Sequence, residues 1–339
     1  MIVDYVKGSL MRALVCNSWG DPQSALSLET RPNPTAGPGQ VVVEMIASPI
    51  NPSDLLTIRN QYGRQPQLPF VPGFEGVGKV ISGRGIMAWR VLGKRVAVIA
   101  ADGGAWQEQC VIPAIRAIPI PDSIPDDQAA SFFVNPATAW AIVNNVLKIR
   151  RGEVLIQSAA AGAVGQMIQG LAKHIGFEVI HVVRRDEQAN CLKQLGASTV
   201  VVGQGEPIVT ALREALAGRH CRMGLDAIGG TTGAAILKSL SRHGTLISYG
   251  RLSGEPIPVD PGILLDGMKS IQGFWLSEWM KDQSKLTLWR LFGTLAGLIS
   301  RGVLHSPTGA IFQAENFRDA AIEAGKLGKA GKVLIRFKG

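Results

Sequence analysis

Residues 158–165 read Ser-Ala-Ala-Ala-Gly-Ala-Val-Gly, and this segment has the plainest chemical meaning in the sequence. Ala160, Gly162 and Gly165 stand at the positions of the G-x-G-x-x-G turn of dinucleotide-binding proteins, with alanine replacing the first glycine. Small residues there let backbone N–H groups and the start of the next helix approach a pyrophosphate. An apolar run precedes the turn and a helical pattern follows it. This context favours a dinucleotide site over the alternative, an ordinary tight turn between a strand and a helix.

The next apolar run, residues 179–183, ends at Arg184 and Arg185. A site that prefers NAD usually has Asp or Glu at this place, where the carboxylate binds the ribose 2′-hydroxyl. Two arginines offer fork-shaped donors to a 2′-phosphate instead. The alternative is a solvated pair of charges before a helix. We predict that the cofactor is NADPH.

The residue types that bind metals are dispersed along the chain. No two cysteines form a C-x-x-C pair, and none is followed by histidine at ligand spacing. The sequence therefore predicts no metal site, and it predicts that the cysteines are small buried residues in a reducing compartment, here taken as the cytoplasm. These residues are Cys16, Cys110, Cys191 and Cys221, with His174, His181, His220, His243 and His305.

The composition excludes several classes of protein. The 339 residues are 46% hydrophobic and 18% charged, which is incompatible with a disordered chain, and 40 glycines indicate many tight turns. Every apolar run is shorter than the roughly 18–20 residues of a membrane-spanning helix. We expect no secretory signal, and we expect residues 1–10 to be an upstream extension. The net charge of +9 suits a polyanion, either nucleic acid, a phosphorylated cofactor or an acidic surface.

The first third of the chain is interrupted by prolines, which disfavour long helices. Its apolar runs predict strands at 40–45, 94–100 and 106–112, and hence an all-β first domain.

From residue 128 the pattern changes to alternating strands and helices. Such alternation with continuous apolar strands predicts a parallel sheet that is covered by helices on both faces. The predicted strands are 154–156, 179–183, 199–202, 223–227, 245–249, 270–275 and 333–337. The predicted helices are 128–147, 164–175, 187–195, 207–217, 231–240 and 285–299.

Four segments together resemble the medium-chain dehydrogenase/reductase superfamily, in its zinc-free, quinone-oxidoreductase-like branch. They are Ile-Asn-Pro-Ser-Asp at 50–54, Pro-Gly-Phe-Glu-Gly-Val-Gly at 72–78, the turn at 162–165 and Gly-Lys-Val-Leu at 331–334. The resemblance covers residues 11–337. Within the branch, residues 51–63, 134–139 and 273–282 are similar to signatures of mitochondrial-type 2-enoyl thioester reductases.

This resemblance implies an α/β fold with two parts. A Rossmann doubly wound parallel sheet at 129–280 would bind NADPH. A mostly-β GroES-like catalytic domain would comprise 1–128 and be completed by a return helix and strands at 281–339. Because related proteins join their dinucleotide sheets edge to edge, a homodimer is expected, with the strand at 270–275 as the edge.

The residue types also indicate why zinc is absent from this branch. Zinc alcohol dehydrogenases of the superfamily hold the metal with a cysteine and a Gly-His-Glu segment. Here residues 50–54 contain no cysteine, and Phe74 replaces the histidine. Phenylalanine cannot bind a metal, so the sequence predicts chemistry without a Lewis acid. Reduction of a conjugated C=C suits this, because the neighbouring carbonyl can store the developing charge as an enolate.

The resemblance makes Tyr62 the proton donor or the enolate stabiliser. The alternative is a tyrosine that packs a loop edge, and quinone reductases often have tyrosine at this place too. The resemblance also implies contacts with the cofactor. These are Asn135 near the nicotinamide, Ala161, Gly162, Ala163 and Val164 around the pyrophosphate, and Arg184 and Arg185 on the 2′-phosphate. Tyr249, Gly250, Arg251, Leu252, Phe274, Trp275 and Leu276 would lie on the nicotinamide side, joined by Asn51, Thr138 and Lys332.

Three functions follow from these observations. The first is NADPH-dependent reduction of a 2-enoyl thioester carried on coenzyme A or an acyl carrier protein. The second is an NADPH:quinone oxidoreductase. The third, a nucleic-acid-binding protein on the same fold, is suggested by the net charge, although Lys and Arg are scattered and form no long basic run.

Overall fold

The computed structural model describes residues 9–63, 65–326 and 331–337. Most of the predicted upstream extension, residues 1–8, lies outside the described residues. Within the described chain, no helix combines the length and the apolar character needed to cross a membrane.

The chain divides into two compact units. The first unit contains Met1–Val134, Phe292–Ser300 and Ser306–Gly339, and the second contains Asn135–Leu291 and Arg301–His305. The domain boundaries predicted after residues 128 and 280 stay a prediction.

The first unit is built mainly from antiparallel strands. Up to residue 130 its elements are β1 Leu10–Cys16, α1 Pro22–Ala25, β2 Leu26–Pro32, β3 Gln40–Pro49, α2 Pro52–Ile58, β4 Glu75–Gly83, α3 Ile86–Val91, β5 Arg95–Ile99, β6 Gln109–Pro113, β7 Ala117–Pro119 and α4 Asp126–Ala130. The prediction of an all-β first domain is therefore wrong for α1, α2 and α3. Pro22 and Pro52 open the helices α1 and α2, where proline is tolerated because the first turn needs no N–H donor.

The second unit carries the predicted parallel sheet. Its elements are α5 Val134–Ala141, which starts at the last residue of the first unit, β8 Val154–Gln157, α6 Ala163–Ile175, β9 Glu178–Val183, α7 Asp186–Gln194, β10 Thr199–Val202, α8 Ile208–Leu216, β11 Met223–Asp226, α9 Gly230–Ser239, β12 Thr245–Ser248, α10 Pro261–Gly267, β13 Ser270–Gly273 and α11 Leu276–Lys281. The strand order is β10-β9-β8-β11-β12-β13, and every pairing is parallel. The order reverses between β8 and β11, which is the switch point where ligands bind in open α/β sheets.

The last part of the chain runs from α12 Lys285–Ser300 to β14 Thr308–Gln313, α13 Phe317–Gly325 and β15 Lys332–Arg336. The strands β14 and β15 join the sheet of the first unit in the order β14-β15-β3-β4-β5-β7, and β6 also pairs with β3. A core of buried aliphatic side chains from these strands packs with α13 and with Trp106, which is 1% exposed.

Three predicted elements need correction. The helix predicted at 128–147 is wrong, because the chain leaves helical geometry at Ser131–Phe133 and the part after Ala141 is a short π-helix at Ile142–Val146. The strand predicted at 106–112 begins only at Gln109, because Trp106 and Glu108 form backbone hydrogen bonds with Leu14 and Arg12 of β1. The edge strand predicted at 270–275 ends at Gly273.

Candidate active site

The turn after β8 has the close packing that a dinucleotide site requires. A Cβ atom on Gly165 would lie 2.4 Å from the carbonyl oxygen of Ala160, so only glycine fits there. The residue with left-handed backbone is Ala159, at φ 48°, and Gly162 is extended, at φ −74°. Gly162 caps α6 without a side-chain hydrogen bond, and the first turn of α6 contains no acidic residue. The N-terminus of this helix is therefore suited to an anion.

Two further observations fit a bound dinucleotide. The side-chain Nδ2 of Asn135 is buried and has no hydrogen-bond partner among the described residues. A Cβ atom on Gly250 would lie 2.9 Å from the carbonyl oxygen of Ala227, which keeps the backbone after β12 tightly packed. A buried amide donor without a partner is costly, and a ligand acceptor would satisfy it. Thr138 lies one turn along α5 from Asn135 and is buried as well.

The two arginines follow β9 directly, and both are exposed. The Arg185 Nε atom lies 3.9 Å from Glu187 Oε2, a loose surface pair. The backbone N–H of Arg184 donates to Gln188 Oε1 at 3.2 Å. Their role in binding a 2′-phosphate stays a prediction.

Ser158 and Asp226 organise the carboxyl ends of β8 and β11. The Ser158 hydroxyl donates to Asp226 Oδ1 at 2.5 Å and accepts from the Ala227 N–H at 3.0 Å. Asp226 also accepts the N–H of Gly229 at 2.8 Å. Burial and the charge of Asp226 raise the pKa of Tyr249. Sequence reasoning missed Ser158 and Asp226, although Ser158 directly follows β8 and Asp226 ends β11, the two strands that meet at the switch point.

The remaining predicted contacts of the second unit lie in two loops that follow β12 and β13. Leu252 is 51% exposed, and Arg251 is exposed beside it. Phe274 and Trp275 are half-buried, and the ring of Phe274 lies 6.4 Å from that of Trp279. These roles stay predictions, as do those of Leu276, which is 9% exposed at the start of α11, and of Ala161, Ala163 and Val164 around the turn.

In the first unit, sheet register brings together two residues that are far apart in sequence. The antiparallel pairing of β15 with β3 sets Leu334 opposite Pro49. Two residues further along each segment, Lys332 and Asn51 are opposite each other. The Lys332 ammonium group donates a hydrogen bond to Asn51 Oδ1. The structure therefore joins two of the residues that the resemblance assigned to the cofactor.

Asp54 and Glu75 complete this arrangement, and we call Asn51, Asp54, Glu75 and Lys332 the ionic cluster. All four side chains are at most 6% exposed. The Asn51 amide donates to Glu75 Oε1 at 3.0 Å, and the Asn51 backbone N–H donates to Asp54 Oδ2 at 2.7 Å. Sequence reasoning missed Asp54 and Glu75 as site residues, although both belong to the segments that carried the resemblance.

Glu75 also caps a helix that lies far away in sequence. Its Oε2 atom accepts the backbone N–H groups of Phe133 and Val134, both at 2.9 Å, where α5 begins. Helix N-termini have N–H groups without intrahelical acceptors, and an anion satisfies them well. The buried Glu75 carboxylate therefore caps the N-terminus of α5, the helix that contains Asn135.

The charges of the ionic cluster act on one another. Burial raises the pKa of Asp54 to about 7, although the hydrogen bond from Asn51 and the Lys332 charge oppose the rise. Burial likewise raises the pKa of Glu75, opposed chiefly by Lys332. The pKa of Lys332 is lowered by burial, and the two carboxylates counteract this. Each charge is therefore tolerated because the others are present.

Tyr62 is connected to the ionic cluster through one residue, Phe74. It is half-buried in the loop after α2, and its ring lies 5.8 Å from the ring of Phe74. The Phe74 backbone N–H donates to Asp54 Oδ1 at 3.2 Å. Asn60, at φ 57°, turns the chain toward Tyr62, whose carbonyl oxygen accepts from Gln65 Nε2 at 2.6 Å.

Among the residues that the structure describes, no three His, Cys, Asp or Glu side chains are grouped to hold a metal ion. Phe74 occupies the position at which zinc alcohol dehydrogenases of the superfamily that the sequence resembles have histidine.

Two family models match the chain. The alcohol dehydrogenase GroES-like domain matches residues 37–122, and the zinc-binding dehydrogenase model matches residues 163–292. Among curated relatives, the human mitochondrial enoyl-[acyl-carrier-protein] reductase is 31% identical over 316 residues, which cover 91% of this chain and 84% of that protein. The bovine enzyme of the same name is 33% identical, over 88% of this chain and 81% of that protein.

Solved structures agree on the fold. A mycobacterial structure in complex with NADPH is 27% identical, with a TM-score of 0.86, and the match covers 96% of this chain and 99% of that one. A quinone oxidoreductase of Pseudomonas syringae is 25% identical, with a TM-score of 0.87 over 96% of this chain and 99% of that one. Fold, site and relatives together define an NADPH-dependent oxidoreductase with a GroES-like and a Rossmann-like domain. The chain belongs to the medium-chain dehydrogenase/reductase superfamily, in its quinone-oxidoreductase-like branch.

Proposed function

We propose that the protein reduces the conjugated C=C of a 2-enoyl thioester, carried on coenzyme A or an acyl carrier protein, at the expense of NADPH. The observation that carries the proposal is the placement of the Tyr62 phenol on Phe74 beside the ionic cluster. It offers a proton donor where zinc enzymes of the superfamily offer a metal. The relatives named enoyl-[acyl-carrier-protein] reductase, which match most of the chain, support this substrate class.

The chain's own residues divide the work as follows. NADPH, when bound, supplies the hydride that reaches the β-carbon of the enoyl group. Tyr62 donates from its phenolic oxygen, either a hydrogen bond to the thioester oxygen as the enolate forms or a proton to the α-carbon. Asn135 orients the nicotinamide end of the cofactor by donating from its side-chain Nδ2, which is buried and has no hydrogen-bond partner among the described residues. The turn at Gly162–Gly165 and the N-terminus of α6 bind the pyrophosphate, and Arg184 with Arg185 binds the 2′-phosphate.

The second candidate is an NADPH:quinone oxidoreductase, in which the same hydride reduces a conjugated diketone. The Pseudomonas syringae neighbour, whose name is quinone oxidoreductase, favours it. The two candidate reactions use the same cofactor site, and they differ in the substrate that would bind next to Tyr62.

Steady-state assays with NADPH separate the candidates. We expect turnover of crotonyl-CoA to exceed that of a panel of quinones, and we expect Tyr62→Phe to lower kcat with crotonyl-CoA about 100-fold or more. Lys238→Ala is the control, because Lys238 is an exposed residue of the second unit that is not assigned to the site. Efficient quinone turnover with negligible turnover of every enoyl thioester would overturn the proposal.

We further propose that the protein is a homodimer joined at β13. Every residue of β13 is exposed on the edge of its sheet, and Leu265 and Met268 before it are 76% and 58% exposed. An open strand edge with exposed apolar side chains beside it suits pairing with a second copy. Ile271→Lys should shift the mass measured by light scattering from dimer to monomer, and an unshifted mass would rule this edge out.

A cytoplasmic location is the accompanying proposal. The four cysteines are free, as expected in a reducing compartment. Cys16, Cys110 and Cys221 are buried as predicted, whereas the prediction is wrong for Cys191, which is exposed on α7. Fractionation of cells that express a tagged chain tests it, and recovery in an organelle fraction would contradict it.

A further inference from the structure

Helix α3 of the first unit carries a group of large apolar side chains on its outer face. Ala88 and Val91 are buried in the core, whereas Ile86 and Trp89, which are neighbours at a spacing of three, are 81% and 78% exposed. The group, which we call the α3 patch, consists of Ile86, Met87, Trp89, Leu92 and Ile115. Its last member belongs to the 3₁₀ turn Ala114–Arg116, which packs against α3. Single exposed apolar residues are ordinary, but a group of neighbouring ones marks an interaction surface.

The charged residues around α3 are all positive. Residues 79–101 contain no Asp or Glu, and their cations are Lys79, Arg84, Arg90, Lys94 and Arg95. Arg95 is held by Asp126 at 2.7 Å, but among the described residues no carboxylate pairs with Arg84, Arg90 or Lys94. We call these three exposed cations the basic rim. The α3 patch is therefore complementary to a surface that is negatively charged outside and apolar inside.

A hollow of about 510 Å³ adjoins the basic rim where α3 ends. Lys79, Lys94 and Arg95 line it, and Asp122 is the one carboxylate on its described wall. Lys79 stands directly opposite Arg95 in the antiparallel pairing of β4 with β5. Like charges at facing strand positions repel each other, and an anion bound in the hollow would relieve this repulsion. The hollow therefore suits an anionic headgroup.

The α3 patch is separate from the candidate proton donor. Strand β4 begins at Glu75, a member of the ionic cluster, and ends at Gly83, shortly before α3, so its nine residues separate the two by roughly 26 Å. A second copy of the chain is a poor occupant, because two basic rims that face each other would repel. The apolar side chains project from the outside of a helix, which suits a layer that deforms around them better than it suits a rigid protein surface.

We propose that α3 docks the protein on an anionic membrane surface. Ile86 and Trp89 enter the boundary between the lipid headgroups and the acyl chains, while the basic rim and the hollow bind the negatively charged headgroups. Because the α3 patch is small, the binding is reversible and weakens as the salt concentration rises. It requires neither NADPH nor a substrate, so it is independent of the proposed reaction.

Sedimentation with lipid vesicles tests the proposal. We expect the partition coefficient on phosphatidylcholine vesicles that contain phosphatidylserine to exceed that on pure phosphatidylcholine by about tenfold or more. Trp89→Ala should lower binding to the anionic vesicles about tenfold. Trp289→Ala is the matched control, because Trp289 is 73% exposed but belongs to the second unit, and it should leave binding unchanged. The combined change Arg84→Gln, Arg90→Gln and Lys94→Gln should lower binding about 100-fold, since each cation near an anionic leaflet contributes about fivefold.

Lipids brominated in their acyl chains test whether Trp89 enters the membrane, because bromine quenches the fluorescence of tryptophan at close range. We expect the brominated anionic vesicles to quench part of the fluorescence of the bound protein. Trp89→Phe keeps an aromatic ring and should retain most of the binding while it removes this quenching. Trp289→Phe should retain both the binding and the quenching.

Three results would overturn the proposal. Binding that Trp89→Ala leaves unchanged and that salt abolishes would be adsorption through the net charge of +9 alone. Equal losses for Trp89→Ala and Trp289→Ala would remove the special place of α3. Binding to neither kind of vesicle would leave an acidic protein as the occupant of the α3 patch. Urea denaturation checks that each variant folds, and Ile86→Ser repeats the test if Trp89→Ala does not. Failure of the proposed reaction would appear as absent turnover with vesicle binding intact.

Discussion

The two units bury different polar networks. The first unit buries the ionic cluster, with two carboxylates and an ammonium group. The second buries a polar chain that we define as Gln157, His181 and Gln169, and burial keeps its histidine neutral by lowering the pKa to about 4. Buried charges cost far more desolvation free energy than buried amides or a neutral imidazole. The unit that carries the candidate proton donor accepts this cost at three described side chains, whereas the unit that carries the dinucleotide turn accepts it at the Asp226 carboxylate and otherwise uses neutral groups such as this polar chain.

The polar chain of the second unit supports backbone rather than chemistry. Gln157 Nε2 donates to the Gly165 carbonyl oxygen at 3.0 Å and lies 2.9 Å from His181 Nδ1. His181 Nε2 lies 2.8 Å from Gln169 Oε1, and Gln169 Nε2 donates to the Gly196 carbonyl oxygen at 3.1 Å. Because an amide nitrogen only donates, Nδ1 accepts and Nε2 carries the imidazole proton. The chain therefore ties the start of α6 to its sheet with neutral groups.

The difference between the ionic cluster and the polar chain is tested most directly by removing one side chain from each. Glu75→Leu leaves the Asn51 amide and the N–H groups of Phe133 and Val134 without their acceptor, and it removes a carboxylate that offsets the Lys332 charge. We expect the free energy of unfolding to fall by about 3–5 kcal/mol, measured by urea denaturation. Gln169→Leu, the matched change in the second unit, orphans neutral groups and should cost about 1–3 kcal/mol. Equal losses in the two variants would contradict the distinction between charged and neutral burial.

Acidification should change the free energy of unfolding in opposite directions through His181 and through Asp54. The pKa of His181 is lowered to about 4 from 6.5, so the unfolded chain binds more protons between these values. The stabilisation that neutral His181 gives the folded state is fully present above pH 6.5 and is lost as the pH falls toward 4. The total loss is roughly 3 kcal/mol of the free energy of unfolding. The pKa of Asp54 is raised, so the folded state binds more protons and Asp54 favours folding as the pH falls below 7.

The measurement is the free energy of unfolding from pH 8 to pH 4.5 for the protein, for His181→Leu and for Asp54→Asn. The difference between the protein and His181→Leu should shrink on acidification, and the difference between the protein and Asp54→Asn should move the other way. Parallel curves for the two variants would show that neither group titrates as the structure requires.

Local patterns were enough to predict most of the second unit. The strand predicted at 199–202 coincides with β10, and the helices predicted at 164–175 and 187–195 differ from α6 and α7 by a residue at their ends. These elements are periodic and bounded by glycine or charged residues, so neighbours in sequence decide them. The dinucleotide turn was found for the same reason, because its steric demands lie within eight residues.

What the sequence could not reveal depends on distant partners. The break between α4 and α5 lies where Glu75, 58 and 59 residues away, supplies the acceptor for the first N–H groups of α5. The pairing of Lys332 with Asn51 follows from the register of β15 against β3, which no local pattern shows. Resemblance pointed to Asn51 and Lys332 one by one, and only the packed structure connects them with Asp54 and Glu75.

The smallest expected effect tests whether burial, and not charge alone, separates the two units. Lys238 and Glu206 in the second unit form an ion pair at 2.6 Å, but their side chains are 40% and 67% exposed. Water already solvates both groups, so their attraction is screened and neither depends on the other for solvation. We expect Lys238→Ala to lower the free energy of unfolding by less than about 1 kcal/mol in urea denaturation, and the loss to shrink further at high salt. A loss as large as that of Glu75→Leu would mean that opposite charges stabilise this fold wherever they meet, and the contrast between the units would then rest on charge alone.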